Sequence, residues 1–191
     1  AIEWYLQAAD SDALVALNLG EAYAGKGDLD RAEAWYVRAA DAGQVEAIGR
    51  KVKQFKPGDE VFGFLPSSTG RGTFAEFVCD RESLITLKPA NMTFEQAAAV
   101  PLAAMTALQG LRDKGNIQPG QKVLINGASG GVGTFAVQIA KCFGAEVTAV
   151  CSTRNLEMAC SLGADHVIDY SKEDFTQNKQ RYDLILVVNG Y

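Results

Sequence analysis

One histidine, His166, and four scattered cysteines, Cys79, Cys142, Cys151 and Cys160, are the only thiol and imidazole groups in this chain of 191 residues. No two cysteines stand as Cys-x-x-Cys, so the sequence outlines neither a zinc cluster nor a disulfide framework, and no metal site is expected. Reduced thiols and a cytoplasmic protein are the reading. His166 reads as a surface loop residue, and the four cysteines as small buried apolar side chains. Long apolar runs are missing as well. None approaches the ~20 residues needed to span a bilayer, and no basic start precedes a signal core, so no membrane association is expected. Positive charge is in short supply: 18 Lys and Arg face 23 Asp and Glu, for a net charge of −5, which argues against nucleic acid as a partner.

Proline is absent before Pro57, although the chain holds 5 in all. The acidic excess is concentrated in the same stretch, with 4 basic and 9 acidic residues in 1–50 against 14 and 14 in 51–191. Composition therefore changes near residues 41–56, which is where one architecture should give way to another. What is present is apolar content of 48%, ample for a core.

The front segment repeats itself. "AIEWYLQAAD" (Ala1–Asp10) returns as "AEAWYVRAAD" (Ala32–Asp41), with Trp4 and Trp35 separated by 31 residues. Between the copies Ala13, Leu14, Leu17, Ala22 and Tyr23 fall near helical spacing, and "GKGD" breaks the chain with Asp28 available as a helix N-cap. Residues 1–42 therefore read as a helical hairpin. The pattern resembles tetratricopeptide and Sel-like repeats, which implies helices that pack on their neighbours, or a groove for a peptide partner. "AGQVEA" then suits either a last helix or a first strand. Strand is favoured from about Gln44, and "KPGDEVFGF" reads as a Pro-Gly turn entering another.

From about Gly43 to Tyr191 five runs occur in fixed order: "FKPGDEVFGF", "GTFAEFVCD", "AAAVPLAAMTALQGL", "QPGQKVLINGASGGVG" and "SLGADHVIDY". Together they make this stretch, roughly three quarters of the chain, similar to the zinc-free quinone oxidoreductase (zeta-crystallin-like) branch of the medium-chain dehydrogenase/reductase superfamily. The resemblance implies an α/β protein: a partial GroES-like β-barrel over 43–105, with an entering helix, and a partial doubly wound (Rossmann) parallel sheet over 106–191. The residues give the same division. Short strands with turn signals run to about Pro89, a single alanine-rich helix is expected over Phe94–Leu111, and strands and helices alternate after it.

"KVLIN" (Lys122–Asn126) reads as a buried strand, and Val132, Ala136, Ile139, Ala140 and Phe143 have helical spacing. The glycines between them thus occupy a strand-to-helix turn. Amides at a helix start lack intrahelical acceptors, and the helix dipole favours negative charge there, which suits a pyrophosphate. Gly127, Gly130, Gly131 and Gly133 would permit backbone and phosphate to approach where a Cβ would collide. The candidate cofactor residues are Ala128, Ser129, Gly130, Gly131, Val132 and Gly133. NAD-selective folds place a carboxylate at the end of the next strand. Here "EVTAVCS" is followed by Thr153 and Arg154, so Ser152, Thr153 and Arg154 offer two hydroxyl donors and a cation, and NADP(H) is expected over NAD(H). The alternative for Arg154 is an ordinary exposed residue at a helix start.

By the resemblance, Tyr170 lies near the adenosine phosphate, Asn189 completes the cofactor set, and Thr106 stands near the nicotinamide as the catalytic candidate, its alternative being a threonine packed in the core. The implied reaction is zinc-free hydride transfer from NADPH to a small quinone, enone or activated carbonyl substrate. The first part of the GroES-like domain and the second half of the nucleotide fold have no counterpart in these residues, so impaired catalysis and self-association through exposed edges are expected. A repeat-based interaction scaffold and a chimeric chain without selected activity are the competing readings.

Overall fold

The computed structural model describes residues 34–38, 42–64, 77–177 and 179–188. Two compact units divide the chain, Ala1–Pro101 and Leu102–Tyr191. In the first, β1 (Ala34–Arg38), β2 (Ala42–Ala47), β3 (Glu60–Gly63), β4 (Phe77–Arg81) and β5 (Ile85–Leu87) form one antiparallel sheet in the order β4-β1-β2-β3-β5. Alternation along β2 points Val45 inward, where it meets Phe55 and Val61, and Val52, Val78 and Ile85 pack around them. The Pro57-Gly58 turn forms as expected. Gly58 has φ +91°, a conformation that favours glycine, and its amide donates to the Val45 carbonyl at 2.8 Å.

Two expectations need correction here. Ala34–Arg38 belongs to the second repeat copy, expected as helix, yet it is a strand paired with β2 on one side and β4 on the other. Trp35, Tyr36 and Val37 are residue types that suit extended backbone, and pairing on both edges outweighs the helical preference of the alanines around them. The remaining part of the repeat, residues 1–33 and 39–41, lies outside the described residues. Gln44–Ile48, left open between helix and strand, falls largely in β2, which starts two residues earlier than expected.

The single helix expected over Phe94–Leu111 is also divided. α1 (Phe94–Ala98) and α2 (Pro101–Leu108) are separate, and α2 widens into a π-helical segment over Gln109–Lys114. Pro101 causes the break: it has no amide proton to donate, and its ring pushes Val100 away from helical geometry. α1 begins in a capping box, in which the Gln96 amide donates to Thr93 Oγ1 at 3.2 Å and the Thr93 amide to Gln96 Oε1 at 3.0 Å. Beneath it Lys88, whose side chain is 5% exposed, lies 3.0 Å from Glu60, donates to the Met92 carbonyl at 2.6 Å, and sits 5.2 Å from the centre of the Phe94 ring.

The second unit alternates strand and helix: β6 (Lys122–Asn126), α3 (Gly131–Cys142), β7 (Glu146–Cys151), α4 (Leu156–Ser161), β8 (His166–Asp169) and β9 (Leu184–Val187). All four strands are parallel, in the order β8-β7-β6-β9. This is the α/β parallel-sheet fold expected, and the order reverses direction about β6, which places β6 at the switch point where such sheets bind ligands. Val123, Ile125, Val147 and Ala149 face Ala136, Val137 and Ala140 of α3 in one core. Leu124, Val150 and Ile168 face the other way, under Phe175 and Tyr182. Both faces of the strands are apolar, as parallel strands covered on both sides require.

At the amino-terminal edge of this sheet, Lys141 Nζ lies 2.7 Å from Asp165, which also accepts from the Val147 amide at 2.7 Å. His166 is the first residue of β8 rather than a loop residue, exposed and 3.1 Å from Glu146. Cys151 is buried, and burial pushes its thiol pKa up. Cys142 and Cys160 are exposed, contrary to expectation. The first closes α3, and the second lies on the outer side of α4, whose Ala159 takes the inward position. Cys79 lies in β4, its side chain outside the described residues. No helix among the described residues is long and apolar enough to cross a membrane.

Candidate nucleotide site

The turn between β6 and α3 is fastened at the carboxyl ends of the strands. Gly127 and Ala128 both donate their amides to the Val150 carbonyl, at 3.2 and 3.0 Å, so the loop is held against the end of β7. Gly127 has φ +85° and needs the freedom of glycine. A Cβ on Gly133 would run into the Gly127 carbonyl oxygen and come within 2.7 Å of the Ala128 Cα, so the first turn of α3 packs directly on loop backbone. Ala128 is fully buried in that contact.

Gly131 differs: a Cβ there would meet nothing within 4 Å. α3 starts at Gly131 after the N-cap Gly130, which has no side chain to cap it, and the first intrahelical bond to Gly130 is made by the Thr134 amide at 2.9 Å. Among the described residues, no carbonyl or side chain accepts from the amides of Gly131, Val132 and Gly133. Three amides without an acceptor thus stand at the positive end of a twelve-residue helix, beside the open position at Gly131, while Gly133 itself is buried against the loop. Gly130 and Gly131 are exposed, Ser129 and Val132 half-buried. A diphosphate fits this cradle, since the opening is where an added Cβ would stand and the donors are the groups a phosphate accepts from.

The residues expected at the adenosine end follow β7. Ser152, Thr153 and Arg154 form the turn into α4, with Ser152 half-buried and the other two exposed. Asn155 Nδ2 donates to Ser152 Oγ at 3.1 Å, which leaves the Ser152 proton free to donate outward. Thr153 is arranged the opposite way: its hydroxyl donates to Asp169 Oδ2 at 2.5 Å, so only its lone pairs remain. Asp169, at the end of β8, also accepts from the Ser171 hydroxyl at 2.6 Å and the Ser171 amide at 3.0 Å, and Lys172 Nζ lies 3.4 Å away. The Ser171 and Thr153 hydroxyls hold its carboxyl far below the ordinary carboxylate range. Tyr170 beside it is 56% exposed, and its amide donates to the Cys151 carbonyl at 3.2 Å.

A carboxylate therefore stands beside the Ser152–Arg154 turn after all, and the sequence reading missed it. Its signal was present in "HVIDY", but the residue comes from the third strand rather than from the end of the second. Parallel pairing sets Cys151 opposite Asp169 and carries the two strand ends to one place. The Thr153 hydroxyl, expected to offer a proton to a ligand, donates to Asp169 in this structure. Arg154 has no ion-pair partner among the described residues. Thr106 is exposed on α2, not packed in the core, and its hydroxyl donates to the Leu102 carbonyl at 2.7 Å. It shares no hydrogen bond with the glycine turn. Asn189 lies outside the described residues. No group of three or more His, Cys, Asp and Glu among the described residues could hold a metal ion.

Comparison with known proteins agrees with this geometry. Residues 131–185 match the zinc-binding dehydrogenase family. A 2-methylene-furan-3-one reductase of Solanum lycopersicum is 43% identical over 151 residues, covering 75% of this chain and 39% of that protein. The mitochondrial NAD(P)H oxidoreductase RTN4IP1 of Homo sapiens is 43% identical over 152 residues, covering 76% and 38%. The structure of a quinone oxidoreductase from Coxiella burnetii superposes with a TM-score of 0.72 at 36% identity, covering 78% of this chain and 47% of that one. The chain thus spans less than half the length of these relatives. Over the matched three quarters or so, its sequence and fold are similar to those of these quinone oxidoreductase and NAD(P)H oxidoreductase proteins.

Proposed function

We propose that this chain supplies the adenosine-diphosphate half of a nicotinamide-dinucleotide site, and that the whole protein passes a hydride from NADPH to a quinone, enone or activated carbonyl. The carrying observation is the set of unpartnered amides at Gly131, Val132 and Gly133, opened at Gly131 and clamped onto the loop at Gly133. In this reading the amides grip the diphosphate, and Ser152 and Arg154 hold the 2′-phosphate with a free hydroxyl proton and a guanidinium. Tyr170 covers the adenosine from the side. Thr106 has committed its proton to Leu102, so it offers lone pairs to a donor such as the carboxamide of the nicotinamide ring. When bound, the dinucleotide supplies the hydride, and the protein contributes position and the exclusion of water.

Because the chain spans less than half of its relatives, turnover is proposed for the whole protein and cofactor binding for the chain itself. Titration with NADPH and NADH, followed by cofactor fluorescence, tests it. NADPH should bind more tightly, and Arg154→Ala should remove the difference while leaving NADH affinity unchanged. Absence of binding by either nucleotide would overturn the reading. Self-association belongs to the same proposal, since Ile185 and Val187 of the edge strand β9 are each 54% exposed. Sedimentation of the pure chain as a monomer at all concentrations would remove that part.

A further inference from the structure

The carboxylate at the adenosine end calls for a role of its own. Asp169 is 91% removed from solvent, since its side chain is 9% exposed, yet it is charged and lies at the carboxyl end of the sheet, where the ligand is read to bind. Its two oxygens are held by three donors from Thr153 and Ser171, and one exposed lysine, Lys172, offsets the charge from the solvent side.

We propose that Asp169 and Thr153 act as an acceptor pair that reads a ribose 2′-hydroxyl and thereby limits the preference of this site for a 2′-phosphorylated cofactor. The inference rests on the nucleotide reading above. Thr153 cannot donate to a phosphate oxygen while its proton lies on Asp169, but its lone pairs can accept the proton of a ribose hydroxyl. The carboxylate behind it adds negative potential at the spot a 2′-phosphate would occupy. Ser152 and Arg154 pull in the other direction. The turn therefore carries one set of groups suited to NADPH and one suited to NADH, and the observed selectivity is their difference. Asp169 is a positioning residue in this scheme, acting through Thr153 and through its charge.

Two substitutions test it, both read by the ratio of NADPH to NADH affinity, which general loosening of the turn would not change. In Asp169→Asn the amide oxygen can keep the Ser171 donors while Nδ2 turns to Thr153. The hydrogen bond then reverses, the Thr153 hydroxyl becomes free to donate outward, and the opposing charge is gone. The ratio should rise by about five- to tenfold, chiefly through tighter NADPH. Thr153→Val, at an exposed position, removes the acceptor and should weaken NADH about threefold or more while leaving NADPH affinity essentially unchanged, so that the ratio moves about threefold. Thermal melting reports whether each variant folds. If Asp169→Asn does not fold, Thr153→Val decides alone. A folded variant whose ratio stays within about twofold of the unsubstituted chain overturns the acceptor pair. Failure of the unsubstituted chain to bind either nucleotide is a different result and overturns the nucleotide reading itself.

Discussion

Gly133 and Gly131 lie two residues apart on the same helix turn, and replacing each by alanine should have opposite consequences. In the absence of steric conflict, alanine in place of glycine stabilises a helix by about 1 kcal/mol. At Gly133 that gain is outweighed. The added methyl would overlap the Gly127 carbonyl and stand 2.7 and 2.8 Å from the Ala128 Cα and carbonyl carbon, all backbone atoms in a loop tied to the Val150 carbonyl. No flexible side chain can yield, so α3 or the loop must shift, at a cost of roughly 1–3 kcal/mol net of the helix gain. For a unit of this size that is a fall in melting temperature of about 5 °C or more. Gly131→Ala meets nothing within 4 Å and should leave the melting temperature equal or slightly raised. Its methyl nevertheless enters the space the diphosphate would use, so NADPH affinity should fall about tenfold or more. Calorimetry without nucleotide, then fluorescence titration, separates the two effects. If Gly133→Ala melts at or above the unsubstituted chain, the close approach of helix and loop is not as described. If Gly131→Ala binds NADPH normally, the open position is not where phosphate sits.

Two further outcomes follow from groups outside this turn. Lys88→Ala removes an almost buried ammonium from between Glu60, the Met92 carbonyl and the Phe94 ring, and should destabilise the first unit by about 1–3 kcal/mol; chemical denaturation with an unchanged midpoint would contradict it. Asp165 has its pKa lowered first by Lys141 and then by the Val147 amide, so its stabilising effect is complete above the ordinary aspartate pKa and disappears as pH falls through the lower folded value. Acid unfolding should therefore be less steep in Asp165→Asn than in the unsubstituted chain below about pH 4, and parallel acid limbs would refute that.

The glycine turn was legible because its information is local. A buried strand, four glycines at short spacing and an amphipathic helix follow one another within Lys122–Cys142, and each constrains the next. Asp169 was hidden for the opposite reason. It lies 16 residues from Thr153, and only the parallel register that sets β8 against β7 brings the two together. The direction of hydroxyl protons, which makes Ser152 a donor and Thr153 an acceptor, depends on partners that no local pattern names. β1 was misread because Ala32–Asp41 repeats an earlier stretch and follows residues at helical spacing, while one of its two strand partners, β4, begins at Phe77, far along the chain. The break at Pro101 was missed as well, although a proline inside an alanine-rich run ends one helix and starts another.

The most direct test of the central claim is a two-dimensional amide NMR titration of the isotopically labelled chain with NADPH. The amide signals of Gly131, Val132 and Gly133 should move with a single saturating curve, and the Arg154 signal should move less with NADH than with NADPH. Saturable binding of NADPH that leaves the three amides at Gly131–Gly133 unmoved would contradict the claim that this helix start holds the diphosphate.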